Sequence, residues 1–384
     1  MYKLVRVTTV PQSLKSLLKG QLDMLSKKFI VLAVSSPGKD MDIVREREGV
    51  RTATIPMERR ISVIKDFVSL YKMIRLFMKE KPDIVHSITP KAGLLSMLAA
   101  YLLRVPVRIH TFTGLVFPSS TGYIQKILIL MDRIICFCAT HIYPEGEGVK
   151  QDLIRYKITS KPLNVVANGN INGIDLNYFD RTSFIMESAI EIRKDSFFTF
   201  CFVGRIVRDK GINELISAFV KLYEENNKIN LMLIGSLECD LDPILSKTEK
   251  LIHHHPGISY KGYQSDIRPF LAASDIFVFP SYREGFPNVV MQAGAMGIPA
   301  IVTDINGCNE IIIQDKNGVI IPPKDEEALL FAMKDLALNP EKVSQLAANA
   351  REMITSRYEQ RLVWEEILKE YQKVICTNIS SNVS

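Results

Sequence analysis

Residues 279–299 read FPSYREGFPNVVMQAGAMGIP, and this stretch combines the end of a strand, a turn and a helix. The apolar run that ends at Pro280 predicts a buried strand, and Pro287 suits the first turn of the following helix. Gly297 is typical of the position just past a helix terminus. Glu284 then lies at the carboxyl end of a strand, where open α/β sheets bind their ligands. The free N–H groups of the helix predict a site for a diphosphate.

Other apolar, β-rich runs on both sides of this stretch predict more buried strands, with helical patterns between them. In one of those helical patterns, apolar residues recur at steps of three and four, as an amphipathic helix requires. This alternation predicts two Rossmann-like α/β domains, each with a parallel sheet covered by helices on both faces. The predicted strands are Tyr2–Val10, Phe29–Ser35, Ile84–Ser87, Val107–Thr111, Phe198–Val203, Leu231–Ile234, Ile276–Pro280 and Ala300–Thr303, and the amphipathic pattern comprises Ile61, Ile64, Phe67, Val68, Tyr71, Ile74 and Met78.

The length of 384 residues is typical of two domains. The segment 180–195 contains no clear strand, so we place the linker there. The predicted domains are residues 1–185 and residues 186–384. Helical patterns from Glu326 to Val374 close the chain.

Charge is distributed unevenly along the chain. Residues 1–180 carry 26 basic and 15 acidic side chains, whereas the remainder carries 22 basic and 27 acidic ones. The first domain is therefore expected to meet an anionic partner. No apolar run is long enough to span a bilayer, and Met1 leads straight into a strand, so we expect a cytoplasmic protein. Cys136 and Cys138 are interpreted as core residues with reduced thiols.

Several other classes of protein are not supported by the motifs. A dehydrogenase needs a glycine fingerprint after its first strand, but the turn at residues 9–13 contains no glycine, and a P-loop motif is also absent from the sequence. The segments 40–42 and 240–242 match Asp-x-Asp, and residues 253–255 are three histidines. We interpret all three as solvated surface, which leaves no predicted metal site.

The spacing of Glu284 and Gln292 is similar to the Glu-x7-Glu signature of glycosyltransferase family 4. This is a large retaining family with the GT-B fold, in which two Rossmann-like domains face a cleft. The resemblance implies that residues 1–185 bind the acceptor and that residues 186–384 bind the nucleotide-sugar donor. The chain most resembles bacterial capsule and lipid-linked glycan enzymes, including N-acetylgalactosaminyltransferases. The resemblance implies that Glu284 bonds the donor sugar and that position 292 binds the ribose, here through an amide instead of a carboxylate. The turn and helix start at Gly285, Phe286, Pro287 and Asn288 belong to the same donor site.

The segment 204–211 resembles the family's diphosphate-binding turn, which implies that Arg205 and Lys210 face the donor diphosphate. Two cations and a helix N-terminus suffice to hold this anion without metal. Tyr263, in a Gly-Tyr-Gln turn, resembles the loop that lines the nucleobase pocket. In the first domain, the segment that begins at His110 resembles a histidine loop that reaches the donor across the cleft, and Lys91 is a candidate for an acceptor phosphate.

The resemblance implies a retaining transfer of an N-acetylhexosamine or hexose from a UDP-sugar, with no metal or other cofactor. The expected acceptor is a sugar on undecaprenyl diphosphate or a polysaccharide, and no nucleic acid is expected as a partner. The alternatives are a nucleotide-sugar epimerase of the same fold and an inactive nucleotide-sugar-binding paralogue. We also expect peripheral contact with the anionic inner face of the cytoplasmic membrane. A lysine-rich segment with leucines at helical spacing fits an interfacial helix, although a helix that packs its leucines on the sheet and leaves its lysines exposed has the same pattern. The leucines are Leu14, Leu17, Leu18, Leu22 and Leu25, and the lysines are Lys15, Lys19, Lys27 and Lys28.

Overall fold

A computed structural model describes residues 1–58, 62–193, 197–238 and 242–381, with side chains up to residue 377. The chain forms two compact units. Unit 1 comprises Met1–Gly173 and the segment that begins at Gln360, and unit 2 comprises Ile174–Glu359. The chain therefore divides at Gly173 and not at residue 185, and its last helix belongs to unit 1 and not to the second domain as predicted. The reason is that this helix buries Tyr371 and Val374 in the core of unit 1.

Twelve strands form within the described residues. They are β1 Lys3–Val7, β2 Ile30–Ser35, β3 Arg51–Thr54, β4 Ile84–Ser87, β5 Val107–Phe112, β6 His141–Pro144, β7 Phe198–Val203, β8 Ile229–Ile234, β9 Ile258–Gly262, β10 Ile276–Phe279, β11 Ala300–Thr303 and β12 Gly318–Ile321. All eight predicted strands are confirmed, with small differences at their ends. The four strands that were not predicted are β3, β6, β9 and β12.

Sixteen α-helices alternate with these strands in the described part of the chain. They are α1 Pro11–Leu17, α2 Gln21–Ser26, α3 Asp40–Glu48, α4 Val63–Glu80, α5 Pro90–Leu102, α6 Gly122–Cys138, α7 Glu147–Arg155, α8 Ser183–Ile192, α9 Ile212–Glu225, α10 Ser246–His254, α11 Arg268–Ala272, α12 Asn288–Ala295, α13 Cys308–Ile311, α14 Glu326–Leu338, α15 Pro340–Tyr358 and α16 Gln360–Ser381. None of the helices within the described ranges is both long and apolar enough to cross a bilayer.

Unit 1 contains a six-stranded parallel sheet in the order β3-β2-β1-β4-β5-β6. One apolar cluster includes residues of α1, α2, α3 and α16, and a second includes residues of α4, α5, α6 and α7. The two clusters use alternate residues of the same strands, such as Leu4 and Val5, so they lie on opposite faces of the sheet. Cys136 and Cys138 are buried in the second cluster, as predicted.

The prediction that the leucines of residues 14–25 face a membrane is wrong. Leu14, Leu18, Leu22 and Leu25 are 0% exposed and pack in the core of unit 1. The segment also forms two short helices, α1 and α2, in place of one continuous helix. The helical spacing of these leucines therefore serves packing on the sheet, because a core-facing helix and an interfacial helix have the same periodicity.

Unit 2 has the same topology, with its parallel strands in the order β12-β11-β10-β7-β8-β9. Its core includes the fully buried side chains of Phe200 on β7 and Phe277 on β10. These two strands are neighbours at the centre of the sheet, and Ile276 lies opposite Phe200. From this pair the chain continues to β8 on one side and to β11 on the other. The fold prediction of two α/β domains with parallel sheets is thereby confirmed.

Candidate functional site: a charged switch point in unit 2

The candidate site lies where β7 and β10 end side by side. Open α/β sheets bind ligands at such a topological switch point, just outside the carboxyl ends of the strands. Residues 204–211 follow β7 and residues 280–287 follow β10. The two segments that carry the predicted donor residues are thus adjacent in space.

The two segments pack backbone against backbone. Gly211 has a φ of 70°, and a Cβ atom there would lie 2.1 Å from the carbonyl oxygen of Pro280. The Tyr282 N–H donates to the Asp209 carbonyl over 2.8 Å. Position 211 therefore requires glycine, both for its left-handed conformation and for the close approach. This contact fixes the start of α9 against the end of β10.

Lys210 and Glu284 form an ion pair between Nζ and Oε1 at this junction. The Ser281 hydroxyl donates to the same carboxylate oxygen over 2.9 Å. The two charged side chains are only 15% and 16% exposed, and the ammonium lies 5.3 Å from the centre of the Phe279 ring. Partial burial strengthens a contact between opposite charges. The structure thus joins two residues that the sequence separates by 74 positions.

Three arginines lie in the same two segments, and each contacts an acidic side chain. Arg205 contacts Glu238 at 3.0 Å and its side chain is 48% exposed. The other two pairs are Arg208 with Asp242 at 3.0 Å and Arg283 with Asp209 at 3.0 Å. The region therefore contains several cations at the carboxyl edge of the sheet, each held by a carboxylate. Asp242 belongs to the Asp-x-Asp match at residues 240–242, and its pairing with Arg208 corrects the interpretation of this residue as solvated surface. No motif marked Glu238, and Asp209 was not singled out within the segment 204–211.

The helix α12 begins directly after the turn that carries Glu284. Pro287 occupies its N-cap position and Phe286 packs on Tyr358 with ring centroids 5.4 Å apart. A Cβ atom at Gly307 would lie 2.4 Å from the Gly285 carbonyl oxygen, so the start of α13 also presses on this turn. The eight-residue helix α12 directs the partial positive charge of its N-terminus towards the turn.

Gln292 lies on α12, one helical turn after Asn288. Val290, Ala293 and Met296 are fully buried, whereas Gln292 is half-buried. Within the part of the chain that the structure describes, the Gln292 amide has no hydrogen-bond partner. It is therefore available to a ligand. Tyr263, which follows β9, is 74% exposed.

Cys308 lies behind the Lys210–Glu284 pair and is fully buried. Burial, and then the negative charge of Glu284, hold the pKa of its thiol well above the ordinary value. A thiol that does not ionise is a poor nucleophile. The candidate site thus offers cations, a carboxylate and helix N–H groups, and its buried cysteine does not add a reactive thiolate.

In unit 1, the structure places His110 inside β5 and not in a loop after it. Its ring is 1% exposed, its Nδ1 lies 2.8 Å from the Ser87 hydroxyl, and it stacks edge-on against Phe112. Burial lowers the pKa of His110 to about 3, so the ring is neutral near pH 7. These contacts give His110 a structural place in the sheet, and its role at a donor stays a prediction.

Lys91 has a different partner from the predicted phosphate. Its Nζ lies 2.5 Å from the Asp66 carboxylate, and the lysine side chain is 5% exposed. The pair ties the start of α5 to α4. A second buried cation, Arg6 on β1, contacts His86, Tyr371 and Gln21 at a cavity of about 40 Å³ beneath α16, and sequence reasoning did not find it.

The described residues contain no group of three or more side chains suited to hold a metal ion. Asp40 and Asp42 lie in the first turn of α3, where they pair with Lys15 and Arg45. Asp240, in the other Asp-x-Asp segment, lies outside the described residues.

Two models of known protein families match this chain, one within each of its two units. Residues 186–353 match the family described as Glycosyl transferases group 1, and residues 21–170 match Glycosyltransferase Family 4. The chain is 33% identical over 372 residues to the capsular polysaccharide biosynthesis glycosyltransferase CapM of Staphylococcus aureus, with 96% of each chain covered.

Two further similarities are informative. Over 295 residues the chain is 30% identical to the UDP-Gal:alpha-D-GlcNAc-diphosphoundecaprenol alpha-1,3-galactosyltransferase of Escherichia coli, with 74% of each chain covered. The structure of the present chain is similar to a crystal structure of Anabaena HepE in complex with UDP and glucose, with a TM-score of 0.82 and 14% identity. The similarity covers 97% of this chain and 100% of the HepE chain. This last likeness concerns the fold alone.

Proposed function

The chain belongs to the group 1 glycosyltransferases, and we propose that it transfers an N-acetylhexosamine or a hexose from a UDP-sugar to an acceptor linked to undecaprenyl diphosphate. The product would be a precursor of a capsule or another surface glycan. The names of the Staphylococcus aureus and Escherichia coli relatives support this choice, since one acts in capsule synthesis and the other uses a UDP-sugar and a diphosphoundecaprenol acceptor.

The observation that carries the proposal is the Lys210–Glu284 pair beside the N-terminus of α12. A donor diphosphate that enters here competes with Glu284 for the Lys210 ammonium and meets the partial positive charge at the N-terminus of α12. Glu284 then becomes an acceptor for hydroxyl groups of the donor sugar. Lys210 thus neutralises the leaving diphosphate while Glu284 holds the sugar, and this arrangement needs no metal.

We assign the reaction a retaining course, in which the donor diphosphate helps to deprotonate the attacking hydroxyl. Such a course needs no carboxylate nucleophile, so Glu284 is left to bind the donor sugar. A retaining glycosidase, by contrast, needs two carboxyl groups about 5–5.5 Å apart across the sugar. The site then promotes transfer mainly by placing charge, as a preorganised electrostatic environment does.

The test is to incubate the purified chain with a panel of UDP- and GDP-sugars, with and without a sugar-diphosphate-undecaprenol acceptor, in excess EDTA. We expect release of UDP and a glycosylated lipid whose new bond retains the anomeric configuration by NMR. A new sugar nucleotide formed without acceptor would identify an epimerase, and donor binding without any product would identify an inactive paralogue. Activity that disappears in EDTA and returns with Mn²⁺ would contradict the metal-independent site.

We further assign the chain to the inner face of the cytoplasmic membrane as a peripheral protein, because its proposed acceptor is embedded in lipid. The excess of basic residues in the first half supports contact with anionic headgroups.

A further inference from the structure

Helices α4, α5 and α6 lie side by side over one face of the unit 1 sheet. The amphipathic pattern that predicted α4 is confirmed as a helix, but most of its apolar side chains point to solvent; Ile61 lies outside the described residues. Ser69, Met73 and Phe77 are the buried residues of α4. The exposed apolar residues of this helix, each 49% to 80% exposed, are Val63, Ile64, Phe67, Val68, Tyr71 and Met78.

The two neighbouring helices extend this apolar surface. Tyr123, Leu130 and Phe137 recur along one side of α6 and are 57% to 78% exposed. At the end of α5, Leu102 is exposed and Tyr101 packs against Phe137 with ring centroids 5.4 Å apart. A globular protein seldom exposes so many large apolar side chains together unless they bind something.

The charges on these helices are distributed by sign. Their carboxylates face inward: Asp66 pairs with Lys91, Glu80 pairs with Arg51, and Asp132 is buried. Their exposed charges are basic, namely Lys65, Lys72, Arg75, Lys79, Lys126 and Arg133. At 100° per residue, Lys65, Lys72 and Lys79 follow one edge of the apolar stripe of α4, and Arg75 lies within the stripe near that edge. An apolar stripe with a basic edge is the pattern of a helix that lies in a membrane interface.

We propose that the outer face of α4, α5 and α6 is the surface by which this chain docks on an anionic phospholipid bilayer. The apolar side chains enter the boundary between headgroups and acyl chains, and the lysines and arginines contact lipid phosphates. A second copy of the chain fits this face less well, since a twofold interface would bring the same cations together. Among the described residues of the three helices no carboxylate is exposed to pair with them, and Glu58, just before α4, already pairs with Lys65. The purpose of this docking surface, access to a lipid-linked acceptor, rests on the proposed function. The surface itself is argued from the exposure and charge of its side chains.

The experiment is flotation of the full chain with vesicles of phosphatidylcholine alone or mixed with phosphatidylglycerol. We expect binding to the mixed vesicles and release by about 0.5 M salt. The double variant I64S/F67S should reduce the bound-to-free ratio at least tenfold. The double variant K72E/K79E should reduce it by about fivefold or more for each cation removed.

Matched controls separate this face from general effects. Phe331→Ser removes an equally exposed aromatic ring from α14 of unit 2, and K27E/K28E reverses two exposed lysines at the end of α2. Both should float like the unaltered chain. The proposal would be overturned if the controls lost as much vesicle binding as the double variants, or if I64S/F67S floated like the unaltered chain.

Two further measurements distinguish the remaining outcomes. If I64S/F67S changes the mass in solution by light scattering without changing flotation, the face is an interface between copies and the proposal falls. The variants should retain UDP release with a water-soluble acceptor analogue, because they leave the donor site intact. If no acceptor is ever glycosylated but flotation still falls in both double variants, the proposed function fails and the docking surface stands.

Discussion

In unit 2, the turn after the first strand meets the turn after the fourth strand through the charged pair of Lys210 and Glu284, whereas in unit 1 the same two turns meet through hydroxyl groups. Thr9 follows β1 and Thr89 follows β4. The Thr9 N–H donates to the Thr89 oxygen over 2.8 Å, and the two hydroxyls lie 2.7 Å apart. Both sheets have the same strand order relative to their first strand. The comparison teaches that the sheet topology determines where the two turns meet, while the residues of the turns decide which chemistry is possible there.

The largest effect is expected from Glu284→Gln, because the amide keeps the shape but loses the charge that we assign to the donor sugar. We expect kcat to fall at least a hundredfold, which corresponds to about 2.7 kcal/mol of transition-state stabilisation. The matched change in unit 1 is Thr89→Val, which should leave kcat within about threefold. Steady-state UDP release measures both, and similar losses in the two variants would break the comparison between the units.

The next effect concerns binding of the donor. Lys210→Ala should weaken UDP binding ten- to a hundredfold, since one charge-assisted bond contributes about 1.5–3 kcal/mol. Arg205→Ala should cost about tenfold, because its side chain is half exposed and already paired with Glu238. Isothermal titration with UDP measures both.

The control for these lysine and arginine changes is Lys91→Ala in unit 1. It leaves Asp66 without its ion-pair partner, so it should lower the free energy of unfolding by about 1–3 kcal/mol while UDP affinity stays the same. Weaker UDP binding in this variant would contradict the assignment of the donor to unit 2.

The units should also differ in their response to acid. Burial lowers the pKa of His110 from 6.5 to about 3, and that of His86 well below its ordinary value. As the pH falls below 6.5, the unfolded state binds these protons first, so the free energy of unfolding of unit 1 decreases. For His110 alone the loss is about 2 kcal/mol between pH 6.5 and pH 5.

Trp364 is the only tryptophan and lies on α16 in unit 1, so its fluorescence reports the unfolding of that unit. Urea unfolding at several pH values should show a steep loss of stability in the unaltered chain. In His110→Gln the loss between pH 6.5 and pH 5 should be about 2 kcal/mol smaller. Identical pH dependence in both chains would show that His110 titrates normally.

Most of the fold was predictable from the sequence because the inner strands of a parallel sheet are apolar throughout. The four unpredicted strands are the edges of the two sheets. Arg51–Thr54 at one edge has no fully buried residue, and His141–Pro144 at another begins with a histidine. An edge strand has a neighbour on one side only, and Arg51–Thr54 shows that such a strand can form without a continuous apolar run.

The closeness of Lys210 and Glu284 was predictable because the short segments that carry them follow strands that end at one edge of the sheet, and their role at a donor stays a prediction. The contact of Glu238 with Arg205 was not predictable, because it depends on how separate loops meet. Ser281 lies in the same turn as Glu284, but no pattern in that turn indicates that its hydroxyl bonds the carboxylate. The leucines of α1 and α2 and the apolar side chains of α4 show a second limit. Periodicity identifies a helix with an apolar stripe, but it does not say whether that stripe faces the sheet or the solvent.

The smallest effect is expected at position 292, where the chain has glutamine in place of the glutamate of the family signature. If this half-buried side chain binds the ribose, Gln292→Glu replaces a neutral acceptor by a charged one, and UDP binding should tighten by about fivefold, or about 1 kcal/mol. The gain should disappear with 2′,3′-dideoxy-UDP, since that ligand lacks the hydroxyl groups that would donate to the carboxylate. Titration calorimetry of Gln292→Glu with UDP and with 2′,3′-dideoxy-UDP measures this difference in affinity within one variant. A similar gain with both would place the ribose elsewhere, and weaker binding of both would mean that the new carboxylate faces the diphosphate, whose charge it repels.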